Sequence, residues 1–446
     1  MLFNSFEFLF AFLPVVCVVY FALTRFLEHA AGRLWLLLAS FCFYGYWEIR
    51  YVPLLAVSIA FNFLVGRRVR GSSGWLVVGI LGNVAALAYY KYTGFFLTSM
   101  NTAAGWQLTV PAILLPLGIS FFTFTQIAYL VDASSEKIPD YNFVDYALFV
   151  SYFPHLLAGP ILHHAQMMPQ FSNVARARFD ADRFSAGLSL LAAGLVKKIL
   201  IADLVAPVAT EGFRNASTLT FGPAWIAALA YTVQIYFDFS GYTDMARGVS
   251  KMLNIDLPIN FNSPYQARNL QDFWQRWHMT LSRFLRDYVF FAVGGARRHL
   301  YFATIATFAI AGLWHGANWT FVIWGLLNGF GIVLVRLTPV TLPLWVARAL
   351  TFVSVTLLWV WFRAATVADA WKMWRTMLSG VPSSPAWQPS LGLIAAALLF
   401  AWFAPNSQKL FDRPVLAPAW RVALGLLAAY SIASLQNASE FLYFNF

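Results

Sequence analysis

Apolar stretches close to membrane-spanning length recur from one end of this chain to the other. They fall near residues 7–24, 34–46, 52–66, 75–90, 110–131, 143–162, 184–206, 222–243, 300–314, 319–337, 347–362, 391–404 and 421–436. Inside a bilayer every backbone N–H and C=O must find its partner within the protein, so such segments are read as helices. Several are shorter than the roughly twenty residues needed to cross, and short apolar runs suit re-entrant or buried helices inside a bundle. The expected fold class is an all-α polytopic integral membrane protein with roughly 10–12 transmembrane helices, a few of them interrupted, plus re-entrant or amphipathic helices. Residues 1–446 read as a single membrane-embedded domain. The polar stretch 376–390 is long enough for a loop and too short for a domain boundary.

Hydrophobic residues make up 60% of the chain and charged residues 11%, about half the charged share of a soluble protein. The formal net charge of +11 is what lysine and arginine give when they collect at the cytoplasmic ends of spans and face anionic membrane lipid. No soluble domain exists to present a basic face, so nucleic acid is excluded as a partner. Cys17 and Cys42 both lie in apolar runs and support neither a disulfide framework nor a thiolate metal site. The first apolar run reads as the first span rather than a cleaved signal peptide. No repeat of fixed period is visible, which removes support for inverted-repeat transporter symmetry.

Seven histidines are the first candidates for chemistry. His29 and His299 lie beside charges in expected loops and read as solvated. His155 and the pair His163–His164 end an apolar segment, where interfacial placement explains them. Neighbouring residues on a helix point in different directions, and no HExxH-type spacing occurs, so no metal site is expected. His278 and His315 differ because both sit among aromatic residues, His315 in "GLWHGANW" (312–319). One reading is a buried neutral histidine bonded to a helix carbonyl. The other is a general base or proton relay, since desolvation favours the neutral imidazole that accepts a proton from a hydroxyl. Gly312 and Gly316 permit close approach of backbone or substrate, and Asn318 offers a donor for a carbonyl oxygen.

Two carboxylates close an apolar run in "DFSGYTDMARG" (238–248). Carboxylates in such a place are functional candidates by default. Asp244 stands three residues before Arg247, a spacing that permits an ion pair. Asp238 has no local cation and would need a distant one such as Arg276 or Arg283. Residues 272–289 read as one amphipathic helix, with Asp272, Arg276, Arg283 and Asp287 on one face and Trp274, Trp277, Leu281, Leu285 and Tyr288 on the other.

The stretch "FNSPYQARNLQDFWQRWHMTLSRFLRDYVF" (261–290), followed by "GLWHGANWTFVIWGLLNG" (312–329), resembles the membrane-bound O-acyltransferase family, in its bacterial alginate O-acetylation branch. "LPLGISFFTFTQIAYLVD" (115–132), "PHLLAGPI" (154–161) and the 238–248 segment share that likeness, which spans residues 1 to about 340 with core motifs over 110–335. The resemblance implies a ring of helices around a central funnel, with His315 as the catalytic residue and His278 accompanying it. It implies no tightly bound cofactor and an acyl donor such as acetyl-CoA or another acyl thioester, with a cytoplasmic acyl carrier as one possible source. It further implies an acceptor polysaccharide outside the bacterial inner membrane. Its expected partners are the polysaccharide machinery and a separate SGNH-type acetyltransferase bearing a serine nucleophile. Transfer of D-alanine toward teichoic acid, a proton-relaying transporter and a non-catalytic scaffold stand as the alternatives.

Overall fold

The computed structural model describes residues 1–135, 138–380, 390–407, 410, 418–437, 439 and 441–442. Most of the 376–390 loop lies outside these. The described residues are mainly helical and contain no strand, so the protein is an all-α polytopic membrane protein. Among the described residues five helical stretches are long and apolar enough to cross a bilayer: Glu7–Phe26, Ile49–Gly66, Ser73–Ala104, Trp319–Leu337 and Leu344–Arg363. Shorter apolar helices occupy Leu300–His315, Leu391–Phe403 and Val422–Ala433.

The chain divides into two compact units, residues 1–191 with 245–258, and residues 192–244 with 259–446. In the first unit the run expected over 110–131 starts late. Its helix spans Ile119–Ser135, because Pro111 and Pro116 cannot donate to a helix ladder and Gly118 adopts φ +76° just ahead of it. A β-carbon at Gly118 would lie 2.8 Å from the Leu156 carbonyl oxygen, so only glycine fits this approach. The run expected over 143–162 breaks at Tyr152, between helices Phe143–Ser151 and Phe153–Leu156. Among the buried polar groups of the unit, Arg33 bonds Asp145 at 2.6 Å, and Asn62 and Asn83 exchange side-chain amide bonds at 2.6 and 3.2 Å.

In the second unit, helices Leu300–His315 and Trp319–Leu337 form a hairpin whose backbones touch. A β-carbon at Gly312 would stand 2.1 Å from the Phe321 carbonyl oxygen, and one at Gly325 would stand 2.2 Å from that of Phe308. Small residues at such crossings let helices approach where apolar solvent offers no hydrophobic drive. Gly316 likewise leaves room for the Phe321 ring, which a β-carbon there would meet at 2.1 Å. Gly312 and Gly316 therefore make room for Phe321, its backbone and its ring respectively.

The helix expected over 272–289 is broken. Helix Leu270–Trp274 stops, His278 turns into the left-handed region with φ +44°, and a new helix spans Met279–Phe284 before a π-helical turn to Phe290. The break is nonlocal in origin. Asn260 and Asn262, from the extended segment before it, supply backbone partners that replace the helix ladder: Met279 N–H donates to Asn260 O at 3.0 Å, and Asn262 N–H to Arg276 O at 2.9 Å. Of the predicted charged face, Asp272 and Arg276 pair at 2.6 Å. Asp287 pairs instead with its neighbour Arg286.

Candidate active site

The left-handed turn aims His278 into the interior of the second unit, where it is 1% exposed. A left-handed non-glycine residue costs on the order of 1–3 kcal/mol and persists only where its surroundings over-determine it. Here they do. The Asn260 side-chain oxygen accepts from His278 Nδ1 at 3.1 Å, from Thr280 Oγ at 2.9 Å and from Thr280 N at 3.3 Å. The Thr280 N–H can only donate, which fixes the Asn260 atom as its oxygen. His278 Nδ1 must then carry the proton, and the basic lone pair of the neutral ring lies on Nε2. Burial lowers the imidazole pKa from 6.5 to about 3, so this histidine, outside the five span-length helices, is neutral at physiological pH.

His315 is the last residue of its helix and is buried. Three aromatic rings enclose it edge-on: Trp314 at 4.9 Å between centroids, Trp324 at 5.3 Å and Phe362 at 5.1 Å. Trp314 also meets the His278 ring, at 6.3 Å. The two histidines predicted from the sequence thus share one aromatic enclosure, with Trp314 against both. Behind them Trp277 stacks on Phe273 at 5.6 Å and packs on Trp359 at 5.0 Å, and Trp359 stacks on Trp324 at 5.9 Å. The Trp274 indole N–H donates to Asn328 at 3.0 Å. Such an enclosure sets apolar ring surface around both imidazoles, and burial of this kind favours the neutral form of His278.

Asn318 does not offer its amide to a carbonyl substrate as expected. Its oxygen caps the next helix by accepting from Thr320 N at 3.1 Å, and its nitrogen donates to Ala365 O at 3.1 Å. The carboxylates also find partners other than those expected. Asp244 pairs with Lys197 at 2.6 Å, while Arg247 reaches the Leu257 carbonyl. Asp238 pairs with Lys198 at 2.8 Å, and Lys198 also bonds Asp203 at 2.7 Å and Ser439 at 2.9 Å. Neither Arg276 nor Arg283 is involved. Lys197 and Lys198 lie in a π-helical segment, Val196–Ala202. Lys198 is 2% exposed. Phe239, one residue from Asp238, packs edge-on against His278 at 4.8 Å.

Four other histidines depart from expectation. His29 opens a helix and bonds the Phe171 carbonyl at 2.7 Å. His155 is buried rather than interfacial and bonds the Phe149 carbonyl at 3.0 Å. His163 and His164 do not diverge. His163 has extended backbone as the cap before helix His164–Phe171, so helical spacing does not apply, and the two rings stack at 4.6 Å. Sequence reading missed Asn260, Trp324, Trp359 and Phe362. Asn260 stands one residue before the quoted FNSPY stretch, but only the fold reveals that it holds His278. A cavity of about 510 Å³ in the same unit is lined by Lys197, Tyr236, Phe237, Ser263, Phe400 and Asn406 among others, and its Tyr236 ring meets Trp277 at 6.1 Å.

The profile of the membrane-bound O-acyltransferase family matches residues 84–368, a range that contains Asn260, His278, His315 and Phe362. The chain is 43% identical over 425 residues to the peptidoglycan O-acetyltransferase of Helicobacter pylori, covering 85% of this chain and 81% of that protein. It is 40% identical over 400 residues to the probable alginate O-acetylase AlgI of Azotobacter vinelandii, covering 85% and 78%. The teichoic acid D-alanyltransferase of Bacillus subtilis matches at 30% over 227 residues, covering 47% and 56%.

Proposed function

The chain belongs to the membrane-bound O-acyltransferase family and is an O-acyltransferase; from that premise we propose that it transfers acetyl groups destined for an extracytoplasmic polysaccharide. The observation that carries the reading is the shared aromatic enclosure of two buried histidines, one with its basic nitrogen fixed by Asn260. Relatives matched over most of this chain are named for O-acetyl transfer, whereas the Bacillus subtilis D-alanyltransferase match covers 47% of it.

In the proposed reaction His315 withdraws the proton of the acceptor hydroxyl as that oxygen attacks the carbonyl of an acyl thioester. The carbon–sulfur bond breaks, the thiolate leaves, and the proton passes to it through the imidazoles. His278 serves this relay through Nε2. Its neutral tautomer accepts a proton there and gives it on from the same atom. The acyl donor, acetyl-CoA or a carrier-bound thioester, is a substrate, and the 510 Å³ cavity has the size of a small-molecule site. The setting is the bacterial inner membrane, and a separate SGNH-type acetyltransferase outside it completes delivery to the glycan.

The test is the O-acetyl content of peptidoglycan and of secreted polysaccharide from cells lacking the protein, complemented with wild type, His315→Ala or His278→Ala at equal membrane abundance. Restoration by wild type alone, in one of the two glycans, is expected. Restoration by both variants would sink the catalytic assignment.

A further inference from the structure

We propose that Asp132, His163 and His164 form a binding site for a divalent transition-metal ion. The site lies within the first unit and uses neither His278 nor His315. Asp132 comes from the last turns of helix Ile119–Ser135, and the histidines come from the start of helix His164–Phe171, thirty-odd residues later. One Asp132 oxygen stands 2.9 Å from His163 Nε2 and 3.0 Å from His164 Nε2. All three ligand atoms lie within 4.8 Å of one another. In a tetrahedral zinc site with bonds of about 2.0–2.1 Å, ligand atoms are separated by roughly 3.3 Å, so small side-chain shifts suffice to admit an ion.

The donor set is chemically selective. Two imidazoles and one carboxylate suit zinc and its first-row neighbours, while magnesium and calcium prefer oxygen throughout. Three protein ligands leave a coordination position open for water or another small ligand.

The surroundings supply what such a site requires. The Tyr141 hydroxyl stands 3.5 Å from His164 Nδ1. Once His164 Nε2 takes a metal, Nδ1 carries the proton and donates to that hydroxyl, the outer contact that orients a ligating histidine. The Tyr129 and Tyr141 rings meet His164 at 5.8 and 6.0 Å. Both tyrosines also line a polar cavity of about 620 Å³, together with Arg67, Arg70 and Asp140. Half-exposed His163 must shift tautomer as well. It gives up a 3.3 Å bond from Ala165 N–H to its Nδ1, a helix-start donor that water can satisfy at this exposed position.

The experiment uses the full-length chain purified in detergent through a tag without histidine, stripped with chelator, and dialysed against Zn²⁺ with metal content measured per chain. Wild type is expected to hold one Zn²⁺ that millimolar Mg²⁺ does not displace, and to gain thermal stability on binding. Asp132→Asn and His163→Ala are expected to weaken binding by about 10-fold or more, while His299→Ala leaves it unchanged. His163→Ala is the informative variant because that side chain is 38% exposed and its loss leaves the fold intact. Absence of zinc from wild type, or affinity unaltered in both Asp132→Asn and His163→Ala, overturns the proposal.

Discussion

Asn260→Asp tests whether the neutral state of His278 is what the enclosure protects. The substitution keeps an oxygen facing His278 Nδ1 and the Thr280 donors, and adds a negative charge 3.1 Å from the ring nitrogen. In the wild-type protein burial alone sets the imidazole pKa, at about 3. An opposite charge at such range raises an imidazole by roughly 1–3 units, which carries the variant into the interval of roughly pH 4–6. The sign follows: as pH falls through the raised value the ring becomes imidazolium, Nε2 loses its lone pair, and proton acceptance stops. Acetyl transfer from a thioester is measured for both proteins in detergent, from about pH 4 to pH 8. The informative quantity is the variant-to-wild-type rate ratio, which cancels any titration of His315. It should fall toward low pH with its midpoint in the predicted interval. Asn260→Ala instead leaves buried donors without their acceptor, at about 1–3 kcal/mol for each one left unmet, and depresses activity at every pH alike. A ratio for Asn260→Asp that stays level across the range, with activity retained, would refute the argument that neutrality at His278 matters.

Lys198→Met strands the Asp203 and Asp238 carboxylates, side chains 7% and 1% exposed, and removal of one partner from a buried ion cluster costs about 3–5 kcal/mol. Apparent Tm in detergent should drop by roughly 6–20 °C on the usual scaling and recover in part when Asp238→Asn is added; an unchanged Tm would show that the cluster is hydrated. At Asp256 burial pushes the carboxyl pKa up, but hydrogen bonds from Arg176 and Arg183 outweigh it and hold the group below its ordinary value. That stability is present above the unfolded value near 3.9 and disappears as pH falls through the lower folded one. The Tm gap between wild type and Asp256→Asn should therefore be visible at neutral pH and close in strong acid, and a gap that persists there would show another origin.

The helices were legible because the bilayer enforces them: an apolar run has no other way to satisfy its backbone. Departures came where a local rule met a partner distant in sequence. The wheel over 272–289 assumes one continuous helix, and the helix stops because Asn260 and Asn262 displace the ladder from outside it. His163 and His164 seemed to diverge only because both were assigned to one helix, whereas His163 precedes it with extended backbone.

The two catalytic candidates were readable for the opposite reason. A histidine among tryptophans is costly in any fold, so its presence is informative before the fold is known. The same reasoning carried further would have paired the buried charges. "GLVKKILIADLV" (194–205) sets two lysines and an aspartate in an apolar run, and Asp238 and Asp244 stand in another. A buried charge needs an opposite one, and the structure pairs Lys197 with Asp244 and Lys198 with Asp203 and Asp238. What sequence could not supply is the side on which those pairs act. Asp238 is joined to Lys198 on one side and receives the Leu442 N–H on another, while its neighbour Phe239 packs on His278. The ion cluster thus lies one residue from the wall of the histidine enclosure. A loss of activity in Lys198→Met therefore marks a positioning role if kcat falls with KM unchanged and folding intact, because the cluster reaches the enclosure through Asp238 and its chain neighbour Phe239, which packs on His278.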